Sequence, residues 1–369
     1  SGNPGNDSWT AGFTYDDNGN VLTAKDAKNT QITNTYDALN RPLVRTYSDG
    51  TPTVTNSYDG AGISPTPSFA KGKLTKVTSS ISESRYTAFD VAGRLKQFQQ
   101  ITDGQTYTSS YDYNLSGALI KETYPSGRVV QNEFDANGDL AKILGKATPT
   151  ATERTYANNF TYSANGKIER LKLGSGVWES ANFNSRLQVT ELSAGWGPTS
   201  SSIVKMTTEY GELQTNGTVD AAKNSGNIGK QTLSFNGLAH PFAQTFKYDA
   251  LQRLTEAKET KNGNQTWREV VDYDRYGNRT THEKYVDGST EIPQTDETRP
   301  EIDNTRNRFK STEGYTFDAN GNVVVDHAGR QFTFNGDNKQ TQVKDAQNNV
   351  VGTYYFDGEG KRVKKVVGN

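Results

Sequence analysis

One short pattern recurs along the chain and constrains it more than any other feature. An aromatic residue is followed by Asp or Asn, then three residues later by Gly, then by Asn, Arg or another polar residue. It stands at Tyr15-Asp16 with Gly19, Tyr36-Asp37, Tyr58, Phe89, Tyr113, Phe134, Tyr162 and Phe183. It returns at Tyr248-Asp249, Tyr273-Asp274 with Gly277, Phe317-Asp318 with Gly321, Phe334, and Phe356-Asp357 with Gly360. Tyr15 and Tyr36 are 21 residues apart, Tyr36 and Tyr58 22, Tyr162 and Phe183 21, and Phe334 and Phe356 22. Repetition at this period is the signature of an array in which each unit cannot bury its own apolar face and stacked neighbours can. About thirteen units fill residues 11–367, with the loosest fit around 195–245.

Each unit reads as strand, turn, strand, turn. Phe13 and Tyr15, Phe160 and Tyr162, and Phe246 and Tyr248 lie two apart, so each pair shares one strand face. The glycine supplies the positive φ of a tight hairpin turn, and Asp or Asn bonds its own backbone. Helical spacing of apolar residues is absent. The fold class is therefore all-β: antiparallel β-hairpin repeats forming a spiralling β-solenoid or a partial hollow shell. Composition matters here because Leu, Ile, Val and Phe make up only about 18% of the chain, a level that signals disorder when net charge is high. Net charge is −1, and 19 Tyr, 15 Phe and 4 Trp are present. The expectation is an ordered polar sheet held by a ladder of motif aromatics.

The Tyr-Asp-x-x-Gly-Arg/Asn pattern resembles the YD-repeat, or RHS-repeat, family: bacterial Rhs and wall-associated proteins, shell subunits of insecticidal toxin complexes, and teneurins. The likeness covers nearly the whole chain and is strongest in KYDALQRLTEAKE through DYDRYGNRT and in the closing YTFDANGNVV to YYFDGEGKRVKK. It implies a strip of hairpins spiralling into a shell that, in toxin-bearing relatives, encloses a C-terminal toxin released at an RHS core segment. No such segment precedes Asn369, so neither self-cleavage nor toxicity carries over to this chain. Residues 1–10 read as a flexible start or cloning scar, and 368–369 as a truncated end. Thirteen two-strand units at ~4.8 Å per strand give a strip roughly 125 Å wide, or a ring about 40 Å across. Such a ring is too narrow for a 100-residue cargo with a radius of gyration of about 13 Å, so a curved segment of a larger spiral is expected.

Chemistry-bearing patterns are sparse. With no cysteine, disulfides, thiolate zinc sites and a Cys nucleophile are excluded. His240, His282 and His327 stand in unrelated contexts and read as surface or turn residues. Lys230 in NSGNIGKQT lacks the spacing of a phosphate loop. The Asp16–Asn20, Asp135–Asp139 and Asp318–Asn322 turns offer oxygens but are shorter than a twelve-residue calcium loop. No cofactor or metal is expected, and no carboxylate pair stands out for glycoside hydrolysis. Trp178 and Trp196, beside glycines and outside the motif, are the candidate ligand-binding residues for a sugar or a protein partner. Balanced charge gives no footprint for nucleic acid, and no apolar run is long enough for a membrane helix. The sequence reads as a non-enzymatic scaffold or shell segment of a large secreted or cell-surface bacterial protein. The alternatives are a glycan- or protein-binding adhesion module and part of a cocoon around a toxin encoded downstream.

Overall fold

The computed structural model describes residues 12–286, 290–291, 301–303 and 305–368. The expected flexible start at 1–10 and the side chain of His282 lie outside the described residues. The described chain is antiparallel β almost throughout, as the alternation in the sequence implies. Strands between Gly12 and Glu291 contribute to a 23-stranded sheet, and those between Thr316 and Val367 to a second sheet of six. Consecutive strands pair as a meander, for example Gly12–Tyr15 with Val21–Lys25 and Val21–Lys25 with Gln31–Tyr36.

Apart from those after Tyr58 and Tyr210, the motif turns are hairpins of one type. In the first, the Asp16 amide donates to the Asn20 carbonyl and the Gly19 amide to the Asp16 carbonyl, both at 3.0 Å. Gly19 has a φ of 84°, and the register shifts so that Tyr15 faces Val21. This is a type I turn closed by a left-handed residue and a bulge, which is why Gly stands three residues after the Asp. Leu187 and Gln252 occupy that position at φ 61° and 63°. A non-Gly residue with a side chain pays about 1–2 kcal/mol there, partly offset by the entropy a glycine loses on folding. Leu187→Gly is expected to stabilise the chain by about 0.5–1 kcal/mol, read as a raised denaturation midpoint.

Hairpins of a meander place their turns alternately on two sides. The turns after the motif aromatics form a motif rim, and the turns that lead back form a return rim. By residue contacts the chain divides into two units, 1–127 with 310–369, and 128–309.

In the first unit, the last six strands seat their motif turns on the return side of the first strands. The Asn320 amide donates to Asp26 Oδ2 at 2.6 Å, and Asn320 Oδ1 accepts from the Lys28 amide at 3.2 Å. The Tyr47 hydroxyl lies 2.8 Å from both Asp337 carboxylate oxygens, and the Gly336 amide donates to Thr51 Oγ1 at 2.7 Å. Tyr86 donates to Glu359 at 2.8 Å, Arg45 donates to the Gly358 carbonyl at 3.1 Å, and Lys364 pairs with Asp103 at 2.6 Å. Burial first, and the facing carboxylate second, hold the Tyr47 and Tyr86 hydroxyls well above the usual phenol range, so both stay protonated donors. At the centre of this joint Gly358 presses against Val54 and Val77.

The second unit contains the stretch that fits the repeat most loosely. Tyr210 is a motif tyrosine there: it faces Ile228 across a bulged register, as Tyr15 faces Val21. Its turn is replaced by an excursion over 211–227 that carries the small Glu212–Leu213 and Val219–Asp220 hairpin. A similar excursion over 59–73 follows Tyr58, which faces Leu74.

Few side chains are fully buried. Val54, Val77, Leu144, Ala157, Ala257, Val271 and Tyr315 are buried, and the largest completely covered side chains are Thr75 and Ser84. The expected ladder of stacked aromatics takes a different form. Ring pairs such as Phe13–Tyr15 and Phe160–Tyr162 lie within one strand, at 6.4 and 6.3 Å. Phe235 and Phe242 meet edge to face at 6.3 Å across two repeats, but most of what crosses from repeat to repeat is polar.

Candidate functional site: the two rims of the strip

Six of the motif tyrosines work through their hydroxyls. Tyr36 donates to the Val21 carbonyl at 2.9 Å, Tyr58 to that of Pro42 at 2.9 Å, and Tyr162 to that of Leu140 at 2.7 Å. Tyr210 donates to Val189 at 3.0 Å, Tyr248 to Ile228 at 3.0 Å, and Tyr273 to Leu254 at 2.8 Å. In each case the acceptor begins the second strand of the preceding repeat, a carbonyl that the bulge displaces from regular pairing. A tyrosine ring therefore covers the bulge while its hydroxyl satisfies the backbone group the bulge exposes.

The motif Asp is the hub of each turn. Asp37 Oδ1 accepts from the Leu39 and Arg41 amides at 2.9 and 3.0 Å, and Oδ2 accepts from Arg41 Nε at 2.7 Å. Asp90 with Arg94 and Asp249 with Arg253 repeat the arrangement, and Asp326 with Arg330 does so in a return turn. Asn20, Asn278 and Asn322 take the place of the arginine at Asp16, Asp274 and Asp318, and Asn349 does so at Asp345 in a return turn. The same residue then reaches the next repeat. Arg41 bonds Asp59 at 2.8 Å, and Arg94 and Arg253 bond the carbonyls of Asn114 and Asp274 at 3.0 and 3.1 Å. Each guanidinium also covers the next motif ring, Arg41 over Tyr58 at 4.4 Å, Arg94 over Tyr113 at 4.9 Å and Arg253 over Tyr273 at 4.6 Å. The tyrosine, aspartate, glycine and arginine of the motif thus have one joint task, tying each bulged turn to its neighbours.

These bonds set the turn's response to acid. Backbone amide and side-chain donation from Arg41 and Arg253 lowers the carboxyls of Asp37 and Asp249 below the usual value of 3.8. The Asn20 and Asn349 side chains do the same for Asp16 and Asp345. An unfolded chain takes up protons first as pH falls past the usual carboxylate value, while the folded turns resist. Their stabilisation is complete above that value and is lost as pH falls through the lowered folded values. Because the same Asp recurs in many turns, acid unfolding is expected to be steep and to begin only below about pH 4. Circular dichroism against pH reads this; a gradual loss spread over pH 5–7 contradicts it.

The return rim carries the two tryptophans. Trp178 opens the strand Trp178–Phe183 and faces Gly195 across the sheet, with Lys172 Nζ 6.0 Å from its ring centre. Trp196 follows Gly195 directly and is 67% exposed, its ring beside Gly176 in the neighbouring return turn. The structure therefore brings both candidate ligand-binding residues to adjacent return turns. A groove lined by Arg154, Tyr156, Asn158, Lys172 and Gly174 lies along the same turns. His240 is exposed in a return turn, and His327 stands 3.2 Å from the Tyr315 hydroxyl. Among the described residues no three His, Asp or Glu side chains gather as metal ligands, and no helix is long and apolar enough to cross a membrane.

Known proteins share this fold. Residues 15–52 match the family model RHS Repeat. A mutant Photorhabdus luminescens Tc holotoxin pore superposes with a TM-score of 0.79 at 17% identity, over 97% of this chain and 19% of that one. The TcdB2–TccC3 crystal structure gives 0.79 at 17%, over 97% and 20%. The same complex without its hypervariable C-terminal region gives 0.79 at 18%, over 97% and 19%. Double-stranded DNA deaminase toxin A of Burkholderia cenocepacia strain H111 is 28% identical over 156 residues, 39% of this chain and 11% of the toxin. The chain spans a fifth or less of the length of these relatives.

Proposed function

We propose that this chain, which carries RHS repeats and has the fold seen in the Tc toxin structures, is a non-enzymatic shell segment of a larger secreted bacterial protein that encloses a toxin. The observation that carries this reading is the division of labour inside the repeat. The recurrent Tyr, Asp and Arg side chains are occupied by each other and by backbone groups, so they build a wall and leave little for catalysis. A zinc deaminase holds its metal through His and Cys, and this chain has no cysteine. The likeness to a deaminase toxin therefore fits the wall of such a protein rather than its reactive domain. The test uses the parent protein. The polypeptide encoded beyond Asn369 is expected to resist protease while the repeat strip is intact and to be digested once the strip is unfolded. A downstream segment digested as fast as the free polypeptide contradicts the reading.

A second reading, adhesion to a glycan or a protein through Trp178 and Trp196, is favoured by the exposure of Trp196. A glycan array on the purified chain tests it. Specific binding lost in Trp196→Ala supports adhesion, and binding unchanged by that substitution removes it.

A further inference from the structure

Many cations of the second unit are paired across the sheet: Lys205 with Glu191 at 2.7 Å, and Lys247 and Arg268 with Glu256 at 2.9 and 2.6 Å. The groove beside Trp178 is different. Its volume of about 830 Å³ lies in the range of small-ligand sites. Among the described residues its two cations, Arg154 and Lys172, have no ion-pair partner, and the side chains of Thr155, Asn158 and Ser175 make no hydrogen bond. The groove is firmly built. The Gly174 amide donates to the Tyr156 carbonyl at 2.8 Å, holding the return turn 173–177 against the strand Arg154–Tyr162. A Cβ on Gly174 would collide with the Thr155 carbonyl, and one on Gly145 with the Tyr156 ring, which lies against it. The Arg128 guanidinium stands 5.3 Å from the centre of that ring. Asn158 pairs across the sheet with Lys172 and Lys172 with Trp178, so the three share one face in a row about 10 Å long. Arg170, two residues from Lys172, shares that face, whereas Glu169 and Glu179 alternate to the other.

These groups define a ligand by its chemistry. Unpaired cations take an anion, the Asn, Thr and Ser side chains bond hydroxyls, and an indole packs on a flat face of C–H groups. We propose that this groove binds a short acidic oligosaccharide, one whose sugar rings carry carboxylates. Trp178 packs on a sugar ring, Arg154 and Lys172 hold carboxylates, and Asn158, Thr155 and Ser175 bond ring hydroxyls. The inference rests on the adhesion reading and deepens it, naming the ligand class and moving the principal contacts from Trp196 into the groove. A nucleic acid strand calls for a long basic track with a succession of stacking rings. Here the cationic row is short, and exposed Glu153 adjoins Arg154 in the chain. That charge pattern suits isolated carboxylates better than a run of phosphates.

Calorimetric titration of the full chain tests this, with short oligomers of galacturonate, glucuronate and mannuronate as probes. Each is used as the free acid and as its methyl ester, which keeps the sugar and removes only the charge. Binding of at least one free acid is expected, weakened roughly tenfold or more in its ester. Arg154→Gln and Lys172→Gln should each weaken it by a similar factor. Neither residue makes an ion pair among the described residues, so both variants should melt with the parent. Lys121→Gln, in the other unit, removes the same charge and should bind like the parent. Acid and ester bound equally well overturns the proposal and leaves adhesion to a neutral glycan standing. No binding of any of these probes overturns it too, and the adhesion reading then survives only if a neutral glycan or a protein is held through Trp196. Acid binding undiminished in both glutamine variants belongs to another surface and equally overturns it. So does tighter binding of a single-stranded oligonucleotide or a polyglutamate peptide, the mark of a general anion surface.

Discussion

Gly358→Val will destabilise the first unit by roughly 1–3 kcal/mol, the cost of forcing extra carbon into a packed site. A Cβ at this position would lie 2.6 Å from Cγ1 of both Val54 and Val77, closer than carbon atoms approach without displacement. Neither valine has room to yield, since Val54 is 7% and Val77 2% exposed. The strain falls on the joint between the last strands and the first. Hydrogen exchange should therefore rise first in Gln331–Phe334 and Val350–Phe356, while the 128–309 unit keeps its protection. Gly197→Ala is the control: its Cβ would meet Ser200 at an ordinary 3.6 Å, and it should melt with the parent. Adding Val77→Ala to Gly358→Val removes one of the two clashes and should restore part of the loss. A Gly358→Val chain that melts and exchanges like the parent would mean that the last motif turns do not pack on the first strands.

Much of this architecture was legible in the sequence because the information is local. Asp16, Gly19 and the alternation around Tyr15 specify a bulged hairpin within a few residues, and every copy of the pattern specifies it again. The all-β class and the antiparallel pairing follow directly. The partners of the motif side chains are about twenty residues away and cannot be read from spacing alone. Tyr36 finds the Val21 carbonyl and Arg41 finds Asp59 only once the bulge has turned those groups outward. The sequence suggested an aromatic ladder because it displays rings, whereas the bonds between repeats run through hydroxyl and guanidinium groups.

Other features were hidden for definable reasons. Tyr210 lacks the Asp-x-x-Gly signature because 211–227 replaces its turn, yet its hydroxyl bond to Val189 marks it as a motif residue. Its spacing from Phe183, 27 residues, was the one available signal. Gly336 and Gly358 look like any turn glycine, but contact across more than 280 residues of sequence explains them: Gly336 with Tyr47, and Gly358 with Val54 and Val77. Trp178 and Trp196 lie off the motif in the sequence. That they occupy adjacent return turns follows from the pairing of Trp178 with Gly195.

Polar ties from six motif tyrosines to the preceding repeat hold the strip together. Tyr162→Phe, Tyr210→Phe, Tyr248→Phe and Tyr273→Phe each remove one hydroxyl and keep the ring, leaving a backbone carbonyl without its donor. Each change should cost about 0.5–1.5 kcal/mol. Sites in separate repeats act nearly independently, so the fourfold variant should lose roughly 2–6 kcal/mol. Tyr15→Phe, whose exposed hydroxyl has no described repeat before it, is the matched control and should be neutral. The direct measurement is the denaturant midpoint of the parent, the four single variants and the fourfold variant. A stepwise fall that accumulates across the four positions is the predicted result, and a fourfold variant as stable as the parent would contradict the account.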